Sequence, residues 1–284
     1  MLADLEASFR HCEAVTKKRA KNFYYGIKLL PNERRRALCA MYAFFRYCDD
    51  VSDGDIAGSR AELLQRWRDA ISPQEDTGSS LILPAYYDSL KKYAVPERYF
   101  HEMIDGVETD LTDQTYETFD DLYTYCYRVA STVGLVCVHI FGFDGSAEAL
   151  LQAEHRGIAF QLTNILRDVA EDVGLGRIYL PREDLRRFGV TPEALLAKRP
   201  EAGFADLIAF EVERARDYYR KSDPLVERVE PASRPSLSAM TSIYRQLLDK
   251  VAALGPKVLT KRASLSLAEK LKLAGETLLS SARG

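Results

Sequence analysis

Histidine is scarce in this chain. The four present, His11, His101, His139 and His155, show neither H-x-x-x-H nor triad spacing, so they read as surface or core residues rather than ligands. Cysteine is little commoner. Cys12, Cys39, Cys48, Cys126 and Cys137 are odd in number, lack C-x-x-C spacing and sit in apolar, helix-like stretches. Reduced core thiols are therefore expected, not a disulfide framework or a zinc cage. Neither sign of charge dominates: 39 Lys and Arg against 42 Asp and Glu leave −3, and no basic tract offers a nucleic-acid surface. Glycine-rich phosphate loops and dinucleotide fingerprints are missing. Long apolar runs are missing too. The longest, roughly 135–143, is about half of the ~20 residues a spanning helix needs. The first residues, MLADLEASFRHCEAVTKKRAK, hold no apolar signal core, and LLSSARG is no membrane anchor. These absences lead us to expect a soluble, cytoplasmic protein without a transmembrane segment.

What is present is helical. Apolar residues make up 46% and charged residues 29%, an ordinary globular balance. Three- and four-residue apolar steps run through 34–52, 60–71, 97–112, 119–140, 147–172, 204–218, 234–253 and 265–280, while strand-like alternation is nearly absent. Breaks fall at turn chemistry such as Ser72-Pro73, Gly142-Phe-Asp-Gly145 and Gly255-Pro256, none long enough for a linker. The pattern predicts one all-α domain over 1–284, with eight to ten helices. Arg34-Arg-Arg36 reads as a solvated helix start.

Two predicted helices stand out. Residues 37–53 are apolar on nearly every face until they end in Cys48-Asp49-Asp50-Val-Ser-Asp53. Residues 158–172 are equally apolar but carry one polar line: Gln161, Asn164, Asp168 and Asp172, at steps of three, four and four. A helix apolar all round is buried, so that line should face inward. Each cluster has a bland reading alone, as a solvated helix end or as a satisfied polar network. Together they place acidic i, i+4 pairs on two apolar helices, with Arg46 and Arg167 each within a turn. Oxygen donors of this kind suit Mg²⁺ shared with substrate phosphates, with Mn²⁺ as a substitute. Arginine matches phosphate oxygens, and Tyr42, Phe44, Phe45 and Phe160 supply aromatic walls. The combination describes ionisation of an apolar diphosphate. Asp168→Asn is expected to abolish catalysis and, by thinning a repelling pair, to stabilise the metal-free protein slightly. Asp110 and Asp113 lack a matching apolar context and are left aside.

At these residues the sequence resembles the squalene/phytoene synthase family. The likeness rests on Phe23–Pro31, the block Ala43-Phe-Phe-Arg-Tyr-Cys-Asp-Asp-Val-Ser-Asp53, Tyr125–Gly134, Gln161–Asp172 and Gly176–Pro181, in that order. It implies the isoprenoid synthase fold, a helical bundle around a central active-site cavity. It implies metal held by Asp49 and Asp53 on one side and by Asn164, Asp168 and Asp172 on the other. Arg46 and Arg167 would bind diphosphate. Asn22, Tyr42, Phe45, Ala130, Val133, Gly134, Gln161 and Tyr244 would contact substrate, and Tyr125 would assist proton loss. Many relatives have serine at Asn22 and a small residue at Phe45.

The implied reaction is head-to-head condensation of two allylic diphosphates through a cyclopropane. VGLVCVHIFGF and the tail SIYRQLLDKV…KLKLA are most similar to presqualene diphosphate synthases of the bacterial hopanoid pathway. The expectation is two farnesyl diphosphates as substrates, presqualene diphosphate as product and no use of NADPH, with peripheral membrane contact left open for product release. The alternatives are a complete squalene or dehydrosqualene synthase, a phytoene synthase using geranylgeranyl diphosphate, and a catalytically silent lipid-binding or assembly partner. A terpene cyclase fits less well, because its second motif usually reads Asn…Ser/Thr…Glu.

Overall fold

The computed structural model describes residues 4–281 apart from 21, 53, 55, 57, 75–76 and 112–114. Helices follow one another along the chain, and the described residues hold no strand, only one isolated bridge between Phe143 and Val229. They are α1 (Leu5–Arg19), α2 (Phe23–Ile27), α3 (Asn32–Ser52), α4 (Arg60–Asp69), α5 (Leu83–Lys92), α6 (Arg98–Thr109), α7 (Phe119–Cys126) and α8 (Thr132–Phe141). The second half holds α9 (Ala147–Gly174), α10 (Arg182–Arg187), α11 (Pro192–Leu196), α12 (Phe204–Lys221), α13 (Leu225–Arg228), α14 (Arg234–Leu254) and α15 (Leu267–Ser281).

Local chemistry sets these boundaries. Ser146 caps α9 by accepting from the Ala149 amide, and Thr118 with Asp121 forms a reciprocal capping box on α7. Pro84, Pro192 and Pro235 stand in first turns, where their missing N–H has no helical partner to lose. The expected solvated start of α3 is corrected at Arg34. Its Nη1 donates to the Phe141 carbonyl at 2.7 Å and to Ser233 Oγ at 2.9 Å, tying α3 to the ends of α8 and α14. Carbonyls left over at a helix end need donors, and this arginine supplies them.

The stretch Phe119–Phe141 has the length and hydropathy of a membrane span, but half of it is buried inside the protein, against α6 and α9. It is not one regular helix. Tyr127–Ser131 forms a π turn between α7 and α8. Beside it α9 comes very close: a Cβ on Gly157 would lie 2.4 Å from the Ser131 Cα, so only glycine fits. All five cysteines are free thiols, as expected.

The buried apolar residues form two clusters, one around Met41, Phe44, Phe100 and Phe141, the other around Leu166, Leu207, Tyr219 and Leu247. Phe23, Tyr127 and Phe160 pack on both. Between the clusters lies a cavity of about 660 Å³.

Candidate active site

The cavity is apolar and fully buried over much of its wall, with Leu38, Met41, Phe45, Met103, Val136 and Phe141 among its lining. The charged and amide side chains that line it, Arg19, Asn22, Arg46, Asp49, Asp110, Gln161, Asn164, Arg167, Arg262 and Lys270, are half-buried or exposed; Arg156, which also lines it, is buried. The polar side is therefore the side that meets water.

The C-terminal half of α3 forms one wall. Tyr42, Phe45, Arg46 and Asp49 recur at helical steps and all line the cavity. Asp49 keeps 45% of its side chain exposed, so this carboxylate sits at the opening rather than in the core. Arg46 Nη1 lies 3.8 Å from Asp49, and its Nε donates to Asp50 Oδ1 at 2.6 Å; Arg19 also pairs with Asp50. Burial first, then the Asp49 carboxylate, pushes the Tyr42 phenol well above its ordinary value. Phe44 is corrected: it does not reach the cavity. It points the other way into the core, stacked on Tyr86 at 4.4 Å and Trp67 at 4.9 Å.

Facing it, α9 presents Phe160, Gln161, Asn164 and Arg167 to the cavity. Asp168 and Asp172 continue the line one and two turns on, beyond the residues that line the cavity, and Asp168 is only 18% exposed. Arg167 Nε donates to Asp168 at 2.8 Å, and Arg262 Nε at 2.6 Å. Burial would raise the Asp168 carboxyl, but these two guanidinium groups outweigh it and hold it below the usual range. Asp172 lacks comparable help. Burial, then repulsion from Asp168, push it up to about 7, with Arg177 opposing only in part. Asp168 does repel Asp172, but its two guanidinium partners make it the better compensated of the pair, so the geometry favours stabilisation by removing Asp172 rather than Asp168.

The other expected contacts also meet here. Asn22, Tyr125, Ala130, Val133, Gly134 and Tyr244 all line the cavity. Ala130 belongs to the π turn, whose extra residue alters which side chains face inward. Gly134 lets α8 and α9 approach closely, since a Cβ there would stand 3.0 Å from the Ala153 carbonyl oxygen. Tyr244 stacks on Phe160 at 4.4 Å and on Phe23 at 4.9 Å. Asp53 lies outside the described residues.

Whether a hard cation fits is a question of donors. Among the described residues no three acidic, imidazole or thiol groups converge closely enough to hold an ion alone. The oxygens present nevertheless suit one. Asn164 Oδ1 is buried without a hydrogen-bond partner, on the helical line that leads to Asp168 and Asp172. An ion completed by water and substrate phosphate needs few protein ligands, and this incomplete set fits that mode.

Among the residues of the site not assigned from the sequence are Arg262 and Asp110, and the setting aside of Asp110 for want of an apolar context is corrected here. Asp110 lines the cavity and accepts from Tyr125 Oη at 3.1 Å and Tyr179 Oη at 3.2 Å. Its signal was readable: Met103, Val107 and Asp110 follow at steps of four and three and share the cavity wall. Arg262, in the segment before α15, carries no such periodicity.

Comparison with known proteins agrees with this geometry. A family model described as squalene/phytoene synthase matches residues 16–269. The phytoene synthase of Mycobacterium tuberculosis is 38% identical over 284 residues, spanning 99% of this chain and 93% of that protein. A dehydrosqualene synthase solved with a ligand superposes with a TM-score of 0.89 at 28% identity, covering 99% of this chain and 98% of its own. A squalene synthase from Alicyclobacillus acidocaldarius gives 0.82 at 27% identity, covering 90% and 97%.

Proposed function

Because this chain belongs to the squalene/phytoene synthase family and has its isoprenoid synthase fold, we propose that it joins two farnesyl diphosphates head to head and releases presqualene diphosphate. The observation that carries the reading is the cavity between the two clusters, apolar and closed around Phe45 and Phe141, polar where α3 and α9 meet water. A prenyl diphosphate has that same division.

Arg46 and Arg167, with Arg19 and Arg262 near them, bind the diphosphate oxygens in this reading. Asp49 with Asp53, and Asn164 with Asp168 and Asp172, would hold Mg²⁺ or Mn²⁺, which neutralises charge on the departing diphosphate. Tyr42, Phe45, Val133, Gly134 and Tyr244 hold the chains and exclude water from the allylic cation, and aromatic faces stabilise that charge. Ala130, Gln161 and Asn22 fix the chains near the reacting carbons. The second chain's double bond attacks the cation, and loss of a proton closes a cyclopropane.

A second reading is formation of phytoene from geranylgeranyl diphosphate, favoured by the name of the Mycobacterium tuberculosis relative. Incubation with each diphosphate and Mg²⁺, with and without NADPH, tests both by mass spectrometry of products. Equal presqualene diphosphate in both farnesyl tubes supports the first reading. Squalene confined to the NADPH tube, or a faster yield of phytoene from the twenty-carbon substrate, overturns it.

A further inference from the structure

Asp110 closes, with a carboxylate, a row of α6 side chains that is otherwise apolar, Met103 and Val107. Its two oxygens are taken separately, Oδ2 by Tyr125 and Oδ1 by Tyr179. The rings of Tyr125 and Tyr179 stack with centroids 5.3 Å apart, and Tyr116 packs against them at 5.4 and 5.9 Å. The carboxylate thus meets the cavity with both phenols in fixed places. Tyr125 is buried, and its phenol is pushed well above its ordinary value by burial first and by Asp110 next. A phenol that keeps its proton is a poor base. It can accept a proton only by giving up its own in the same movement, and its hydroxyl already donates to the Asp110 carboxylate.

We propose that Asp110 is the terminal proton acceptor of ring closure, reached through Tyr125. This rests on the head-to-head reading above. After the first carbon–carbon bond forms, positive charge sits on the tertiary carbon of the second chain. One C–H bond then breaks at the former allylic C1 of the ionised chain. Its electron pair forms the last ring bond to the tertiary carbon, and the proton goes to Tyr125 Oη. The phenol's own proton passes to Asp110 Oδ2 along the existing hydrogen bond. A cation and a carboxylate become a neutral ring and a carboxylic acid, and Tyr125 ends as it began. Asp110 is half-buried, so its proton returns to water after turnover. Tyr179 is a positioning residue that holds the other oxygen.

The test uses the full chain with Mg²⁺, farnesyl diphosphate and its 1,1-dideuterated form. Wild type is run first. Failure of wild type to make any cyclopropyl diphosphate sinks the head-to-head reading itself, a result distinct from any effect of Asp110. Given that product, Asp110→Asn should lower kcat for ring formation about 100-fold or more with KM nearly unchanged. The deuterium isotope effect on ring formation should rise above the wild-type value. Inorganic diphosphate release should outrun ring product, because the stranded cation is diverted to water. Tyr125→Phe should give the same signature, and the double variant should be no worse than either. A slower variant with an unchanged isotope effect and matched diphosphate release would make Asp110 a wall residue and overturn the proposal. Wild-type activity in Asp110→Asn would overturn it as well. Should Asp110→Asn not fold, Tyr125→Phe carries the same readouts, and an unmoved isotope effect there is decisive against the relay.

Discussion

Asp168 and Asp172 stand one turn apart on one face of α9, yet Arg167 and Arg262 stabilise only the first as an anion. Removing each carboxylate from the metal-free protein should therefore have opposite effects. Asp168→Asn deprives Arg167 of its carboxylate and leaves Arg262 only Glu171, 3.4 Å away, and should lower stability by about 1–3 kcal/mol. Asp172→Asn removes a poorly compensated charge and should leave stability equal or higher. Thermal melts in EDTA at pH 8 compare the two; shifts of the same sign would contradict the arrangement. Both variants should lose catalysis.

Exhaustive chelation should abolish turnover, and Mg²⁺ or Mn²⁺ should restore it, because the donors lining α3 and α9 are hard oxygens. Activity that survives chelation would remove the metal from the account.

Phe45 lines the cavity and stacks on Phe100 at 5.1 Å. Phe45→Ala should open room for a longer chain and raise kcat/KM for geranylgeranyl relative to farnesyl diphosphate by about 10- to 200-fold. Competition between the two substrates reads the ratio directly. An unchanged ratio would move the length-sensing wall elsewhere.

Away from the cavity, Glu211 is buried beside Asp184, with Arg214 Nη1 2.7 Å from both of its oxygens. Burial pushes its carboxyl up to about 7; Arg214 opposes that shift and Asp184 adds to it. Since the fold favours the protonated form, this contribution to stability is complete below about 4.5 and is lost as pH rises through about 7. Glu211→Gln should flatten urea-unfolding stability between pH 5 and 8. A variant whose pH profile overlays the wild type would show that Glu211 does not titrate there.

Gly157→Ala should cost about 1–3 kcal/mol or more, since the new methyl meets backbone at Ser131 rather than a side chain that can turn away. Gly145→Ala provides the contrast: no atom lies within 4 Å of a Cβ there, and only its positive φ of 77° resists. Calorimetry separates crowding from backbone strain.

Much of this was legible from periodicity. Helical spans predicted at 34–52, 147–172 and 234–253 are found at Asn32–Ser52, Ala147–Gly174 and Arg234–Leu254, because caps and prolines mark their ends. The residues at 161, 164 and 167 and those at 42, 46 and 49 do share one cavity. Two things stayed hidden. Apolar content alone did not say which face of α3 met the core, so Phe44 was misplaced while Phe45 was not. Nor could partners distant in sequence be read: Arg262 reaches Asp168 across 94 positions and decides which aspartate is comfortable.

The π turn at Tyr127–Ser131 puts part of the catalytic design into a length rather than a letter. Deleting any one residue there would restore a regular helix and turn Tyr125 by about 100° relative to Gly134 and α9. Deleting Arg128, for example, would leave every side chain assigned to the cavity in the sequence, and an alignment scored by identity would hardly register the loss. Yet the phenol would leave Asp110. In this segment a missing codon is a graver change than most substitutions.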